Sequence, residues 1–112
     1  MLTMDKLRAW DAGVDAGLSR CLNNEAFYLR LVNKVIGDPA FDRLREACES
    51  GNLDQAFDAA HSRKGMLGNL SLTPVLKPVE KITELLRSRT ETDYGPLLEE
   101  IAFRRQQLED MA

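Results

Sequence analysis

The chain has 112 residues, of which 44% are hydrophobic, enough for one small domain that buries about two-thirds of the surface its unfolded form exposes. Its net charge of −3 argues against nucleic acid as the main partner. Its uncharged apolar runs are too short to cross a bilayer. The N-terminus has no basic segment leading into an apolar stretch, so no secretory signal is read there and a cytoplasmic location is expected. Asn69-Leu70-Ser71 is then an accidental match to a glycosylation acceptor. Cys21 and Cys48 sit beside apolar positions without ligand spacing, which assigns them to packing. With a single histidine, His61, no metal site is expected.

Helical punctuation recurs along the chain. A first helix is expected near 4–12, with a short turn around 15–21 that admits helix. Tyr28, Leu31, Val32 and Val35 form an apolar stripe predicting a helix over 24–36. Asp38-Pro39 pairs an N-cap residue with a proline suited to the first turn, opening a helix over 39–50 with the stripe Phe41, Leu44, Cys48. Gly13, Gly37 and Gly51 each follow a periodic segment and read as C-terminal caps. Asn52 followed by Gln55 resembles a capping box and opens a helix over 53–70. Thr73-Pro74 repeats the cap-plus-proline pattern before a helix over 74–89, whose stripe is Val75, Val79, Ile82 and Leu86. Pro78, in its first turns, predicts a kink or a delayed start. The last helix, over 93–110, carries Tyr94, Leu97, Leu98, Ile101 and Leu108, and Gly95-Pro96 blurs its beginning. No stretch alternates apolar and polar residues, so the fold class is all-α. Short loops make consecutive long helices antiparallel neighbours in an up-and-down bundle, a single domain over 1–112.

The 53–70 helix carries the chemistry. At 100° per residue, Leu53, Ala56, Leu67 and Leu70 fall within roughly 80° of Ala60 and face the core. Lys64, Phe57, Gly68, His61 and Gly65 follow from about 40° to about 140°, where core gives way to solvent. The only histidine is therefore reachable from outside. A glycine in a helix interior costs up to about 1 kcal/mol relative to alanine. Gly65 and Gly68 beside His61 thus imply either access for a second protein or close helix packing. Lys64 is either a surface lysine with its stem on the apolar stripe or a cation for a group carried by His61. A phosphoryl group, with roughly one and a half to two negative charges, would be stabilised by it. Arg63 falls near about −60°, beside the core stripe, where a guanidinium needs a carboxylate that the sequence does not name.

The run His61-Ser62-Arg63-Lys64-Gly65-Met66-Leu67-Gly68-Asn69-Leu70-Ser71-Leu72 resembles the signature of histidine-containing phosphotransfer (HPt) domains: a histidine, two residues, Lys-Gly, then small and apolar residues leading to Asn-Leu-Gly or a variant. The likeness extends to Asp15-Ala16-Gly17-Leu18, to Asn24-Glu25-Ala26-Phe27-Tyr28 and to the segment from Thr73 to Leu86. It implies a four-helix bundle with an accessory N-terminal helix, and His61 as phosphoacceptor. Its partners would be the aspartates of response-regulator receiver domains and a hybrid sensor histidine kinase. Lys64 would stabilise the phosphoryl group, and Gly65, Gly68, Phe57 and Arg63 would form the docking surface. A basic zone of Arg63, Lys64 and Lys77 or Lys81 would steer an acidic receiver. The resemblance implies no cofactor on this chain, with Mg²⁺ held by the receiver, and no kinase or phosphatase machinery. A monomer without nucleic-acid or membrane partners is expected. The competing readings are a helical adaptor that binds receivers without transferring phosphate, and an unrelated bundle. Two positions depart from the family pattern: Arg63, usually apolar, and Ser71, often glycine.

Overall fold

Side-chain caps start three of the helices. Thr3 Oγ1 accepts from Lys6 N, Asn24 Oδ1 from Phe27 N and Asn52 Oδ1 from Gln55 N, at 3.0–3.1 Å. The computed structural model describes residues 1–112 as seven helices and no strand: α1 (Met4–Ala9), α2 (Val14–Arg20), α3 (Glu25–Ile36), α4 (Ala40–Glu49), α5 (Leu53–Asn69), α6 (Thr73–Arg87) and α7 (Gly95–Met111). Asp38 Oδ1 accepts from Ala40 N at 2.8 Å beside the start of α4, whose N-cap is Pro39 rather than the expected Asp38.

Helix ends depart more from expectation. In α1, α4, α5 and α6 the last carbonyls are met by a paired motif in which the second bond spans six residues: Ala12 N to Leu7 O, Asn52 N to Ala47 O, Leu72 N to Leu67 O and Thr90 N to Leu85 O, each 2.9–3.1 Å. The motif needs one residue of positive φ. These are Asp11 (70°), Gly51 (75°), Ser71 (55°) and Arg89 (50°), so only one is glycine. Gly13 does not cap α1. Asp11 turns the chain first, and Gly13, at φ −79°, is the N-cap of α2. Thr73 is likewise not an N-cap: it is the first residue of α6, and its hydroxyl donates to Ser71 O at 3.4 Å. Pro78 neither delays nor divides α6, which runs from Thr73 through it.

The architecture is an all-α bundle. α5 packs between α4 and α6, and α7 packs on α6. Arg45–Glu99 (3.2 Å) and Arg105–Asp42 (3.4 Å) return α7 to α4, closing an up-and-down set of four. A single apolar cluster unites Tyr28, Val32, Leu44, Leu67, Val79, Ile82 and Leu108 with residues from all seven helices. The accessory N-terminal part comprises α1, α2 and α3, and the last two clamp the C-terminal end of α5. Gly13 N donates to Ser71 O (2.8 Å), Tyr28 Oη to Leu70 O (2.8 Å), and Arg20 Nη1 to Gly68 O, Asn69 O and Ser71 Oγ (2.8–3.2 Å). These donors satisfy carbonyls that a helix terminus leaves orphaned. Burial pushes the Tyr28 phenol up to about 12, with Cys21 adding to the shift. Gly17 lets α2 reach this end: a Cβ there would lie 2.5 Å from Leu70 O and 2.6 Å from the Tyr28 ring. No helix is long and apolar enough to cross a membrane.

Candidate functional site

The site begins with the register of α5. Ala56, Ala60 and Leu67 are fully buried and Leu70 nearly so, whereas His61 is exposed. The angular reading of the helix therefore holds, with His61 at the outer edge of the stripe. Phe57, one turn earlier, stacks on the imidazole at 5.4 Å between ring centroids and 21° between planes. Such a face-to-face contact restrains the ring without occupying its nitrogens.

A cleft of about 280 Å³ opens beside the ring, lined by His61, Lys64, Gly65 and Gly68 of α5 and by Leu76 and Glu80 of α6. Gly65 also borders a second cleft, of about 440 Å³, lined by Leu31, Lys34, Met66, Asn69 and Leu70. It is shared by the two hollows. A Cβ built on Gly65 or Gly68 would meet nothing within 4 Å. Neither glycine is needed for helix packing inside this chain, so the packing explanation fails. Their helix cost is offset by nothing within the chain.

The charges are mixed. Lys64 Nζ lies 3.7 Å from Glu84 Oε1, and Arg87 Nε lies 3.4 Å from Glu84 Oε2. The Arg87 guanidinium stands over the Phe57 ring at 5.0 Å from its centroid. Arg87 and Glu84 were not among the residues anticipated from sequence. The antiparallel register of α5 and α6 about the 70–72 turn sets Phe57 opposite Arg87, and that register was the available signal. Lys77 and Lys81 are exposed but do not line the His61 cleft. The expected basic zone is in fact Lys64 and Arg87 interleaved with Glu80 and Glu84.

Arg63 leaves the site altogether. Its guanidinium forms an ion pair with Asp38 Oδ2, and the two side chains are 12% and 17% exposed. Its Nη2 donates to Ser62 Oγ at 3.0 Å, and burial pulls its pKa down. Asp38 thus spends one oxygen on the start of α4 and the other on α5. The expectation that Arg63 stands with the residues around His61 is corrected: its Nη1 pairs with Asp38 and its Nη2 with Ser62, and it does not line the His61 cleft. Phe57, Gly65 and Gly68 do gather around His61 with Lys64.

This arrangement can present one exposed imidazole, one flexible cation and an unobstructed stretch of helix to a second molecule. It places no carboxylate or hydroxyl in hydrogen-bond contact with His61 as a base. Against known proteins, the family model described as Hpt domain matches residues 38–112, which spans α4 to α7 and the whole site. Neither the curated proteins nor the solved structures gave a match.

Proposed function

The chain belongs to the Hpt domain family, whose members carry phosphoryl groups in phosphorelay signalling, and on that premise we propose that His61 is the phosphoacceptor of a carrier working with receiver domains. The observation that carries this reading is the conjunction at one helical face: an exposed imidazole stacked on Phe57, Lys64 in the same cleft, and Gly65 with open space above it.

In the proposed step a neutral imidazole nitrogen attacks the phosphorus of the receiver's aspartyl phosphate in line. The N–P bond forms as the P–O bond to the aspartate breaks, and the aspartate leaves as a carboxylate. The imidazole's other nitrogen keeps its proton or releases it to water. Imidazole is largely neutral at pH 7, so no dedicated base is needed, in keeping with the surroundings of His61. The ring stacking holds the nucleophile's plane, which converts part of the encounter's orientational cost into structure. Lys64 supplies charge to the transferred group. The acidic pocket and its divalent cation belong to the receiver, and the reverse reaction retraces the same path. The test is to mix the protein with a phosphorylated receiver and examine the label transferred. Acid-labile, base-stable label on the protein but not on His61→Gln supports the carrier. Label on neither, with several receivers, supports a non-transferring adaptor instead.

A further inference from the structure

Glu84 makes no hydrogen bond or ion pair with His61, yet it holds the cations on either side of the His61–Phe57 stack. Its two carboxylate oxygens each hold a different cation, Oε1 with Lys64 and Oε2 with Arg87. Lys64 lines the His61 cleft, and Arg87 reaches the same ring through Phe57, which stands between them. One carboxylate thus gathers the lysine of the His61 cleft and the arginine that stands over Phe57. The side chains of Lys64, Arg87 and Glu84 are 34%, 49% and 60% exposed, and ion pairs this open to water are weak and exchange readily.

A phosphoryl group on His61 would bring greater charge and three strong acceptor oxygens into the cleft that Lys64 lines. We propose that Glu84 is a positioning residue that stands in for the phosphoryl group in the empty protein. It holds Lys64 and Arg87 as a carboxylate counter-ion, and it gives Lys64, and through the shared pair Arg87, to the phosphoryl oxygens when His61 is loaded. Loading then breaks the Glu84 pairs as it makes new ones, so Glu84 raises the free energy of the loaded form relative to a chain without it. Its consequence is a phosphohistidine that passes its group on more readily. This inference rests on the reading of His61 as phosphoacceptor.

Phosphoramidate phosphorylates imidazole without a partner protein and releases ammonia, and this separates the two ideas. The loaded-to-empty ratio at matched phosphoramidate and ammonium concentrations is read by phosphorus-31 NMR for the wild type and for Glu84→Gln. The ratio should rise about threefold to fivefold in Glu84→Gln, the range set by losing an exposed pair's competition. In a Lys64→Gln background the same Glu84→Gln change should have a much smaller effect. An unchanged or lower ratio in Glu84→Gln overturns the inference. So does a rise that persists undiminished with Lys64→Gln, because simple repulsion between Glu84 and phosphate would act without the lysine. Glu80→Gln, which removes the other carboxylate of the cleft, supplies the comparison for such repulsion, and its effect should not depend on Lys64. Should the wild type load from phosphoramidate but exchange with no receiver, the carrier reading fails while the role of Glu84 stands. Absence of any loading overturns both.

Discussion

Replacing Gly65 by alanine should make the protein more stable and less able to exchange phosphate. Gly65 lies well inside α5, and its added Cβ meets nothing within 4 Å. The substitution therefore recovers the helix propensity that glycine forfeits, up to about 1 kcal/mol, with no packing penalty to set against it. For a domain of this size that is a rise in Tm of roughly 4 °C. The same methyl projects where the two clefts meet. If a receiver packs against that ridge, the methyl overpacks the interface by about 1–3 kcal/mol, which slows transfer roughly fivefold to a hundredfold. Thermal unfolding by circular dichroism and the rate of label transfer from a phosphorylated receiver measure the two sides on one sample. A Gly65→Ala protein that melts lower would mean that the glycine serves packing. One that melts higher but transfers at the wild-type rate would refute the docking role.

Three other perturbations follow from the fold. Asp38→Asn leaves the Arg63 guanidinium buried without its counter-ion and should cost about 2–3 kcal/mol, a fully buried pair's penalty discounted for residual exposure. Adding Arg63→Met should recover most of that loss in urea unfolding, and no recovery would show that Asp38 acts only at the start of α4. Gly17→Ala should destabilise by about 3 kcal/mol, because its Cβ would overlap Leu70 O and the Tyr28 ring, and a neutral effect would refute the clamp at the end of α5. Stability should also fall at alkaline pH. The folded state holds the Tyr28 proton to about 12, against about 10 when unfolded. The contribution is thus complete below pH 10 and is lost as pH rises through about 12, on the order of 2–3 kcal/mol. Denaturation curves across that window should flatten in Tyr28→Phe, and an unchanged slope would contradict the burial of that hydroxyl.

What the sequence revealed and what it hid have separate physical causes. Helix faces follow from a fixed 100° step, so the buried Ala56, Ala60 and Leu67 and the exposed His61 were legible from spacing alone. Starts marked by Asn52 and Asp38 were legible because the cap donors are local. Ends were less so. Asp11, Ser71 and Arg89 accept positive φ where glycine would be the usual signal, and that misplaced the role of Gly13. Ser71 also explains its own departure from the family pattern: it occupies the left-handed position that glycine suits, and its hydroxyl accepts from Arg20. Partners distant in sequence were hidden altogether. Asp38 meets Arg63 through the α4–α5 packing, and Glu84 meets Lys64 through the α5–α6 register, which no local pattern encodes; only its pair with Arg87, three residues on in the same helix, is local. The clamp made by α2 and α3 was missed for the same reason, because Arg20, Tyr28 and Gly17 converge on carbonyls at a helix end that only the fold brings to them.

The central claim is that His61 accepts and returns a phosphoryl group. Its most direct test is a two-stage transfer: label from a phosphorylated receiver to this protein, isolation of the labelled protein, and addition of fresh, unlabelled receiver. The account predicts label on the wild type, return of that label to the fresh receiver, and none on His61→Gln at either stage. Label that reaches His61→Gln, or that never leaves the wild type when receiver is supplied, would contradict it.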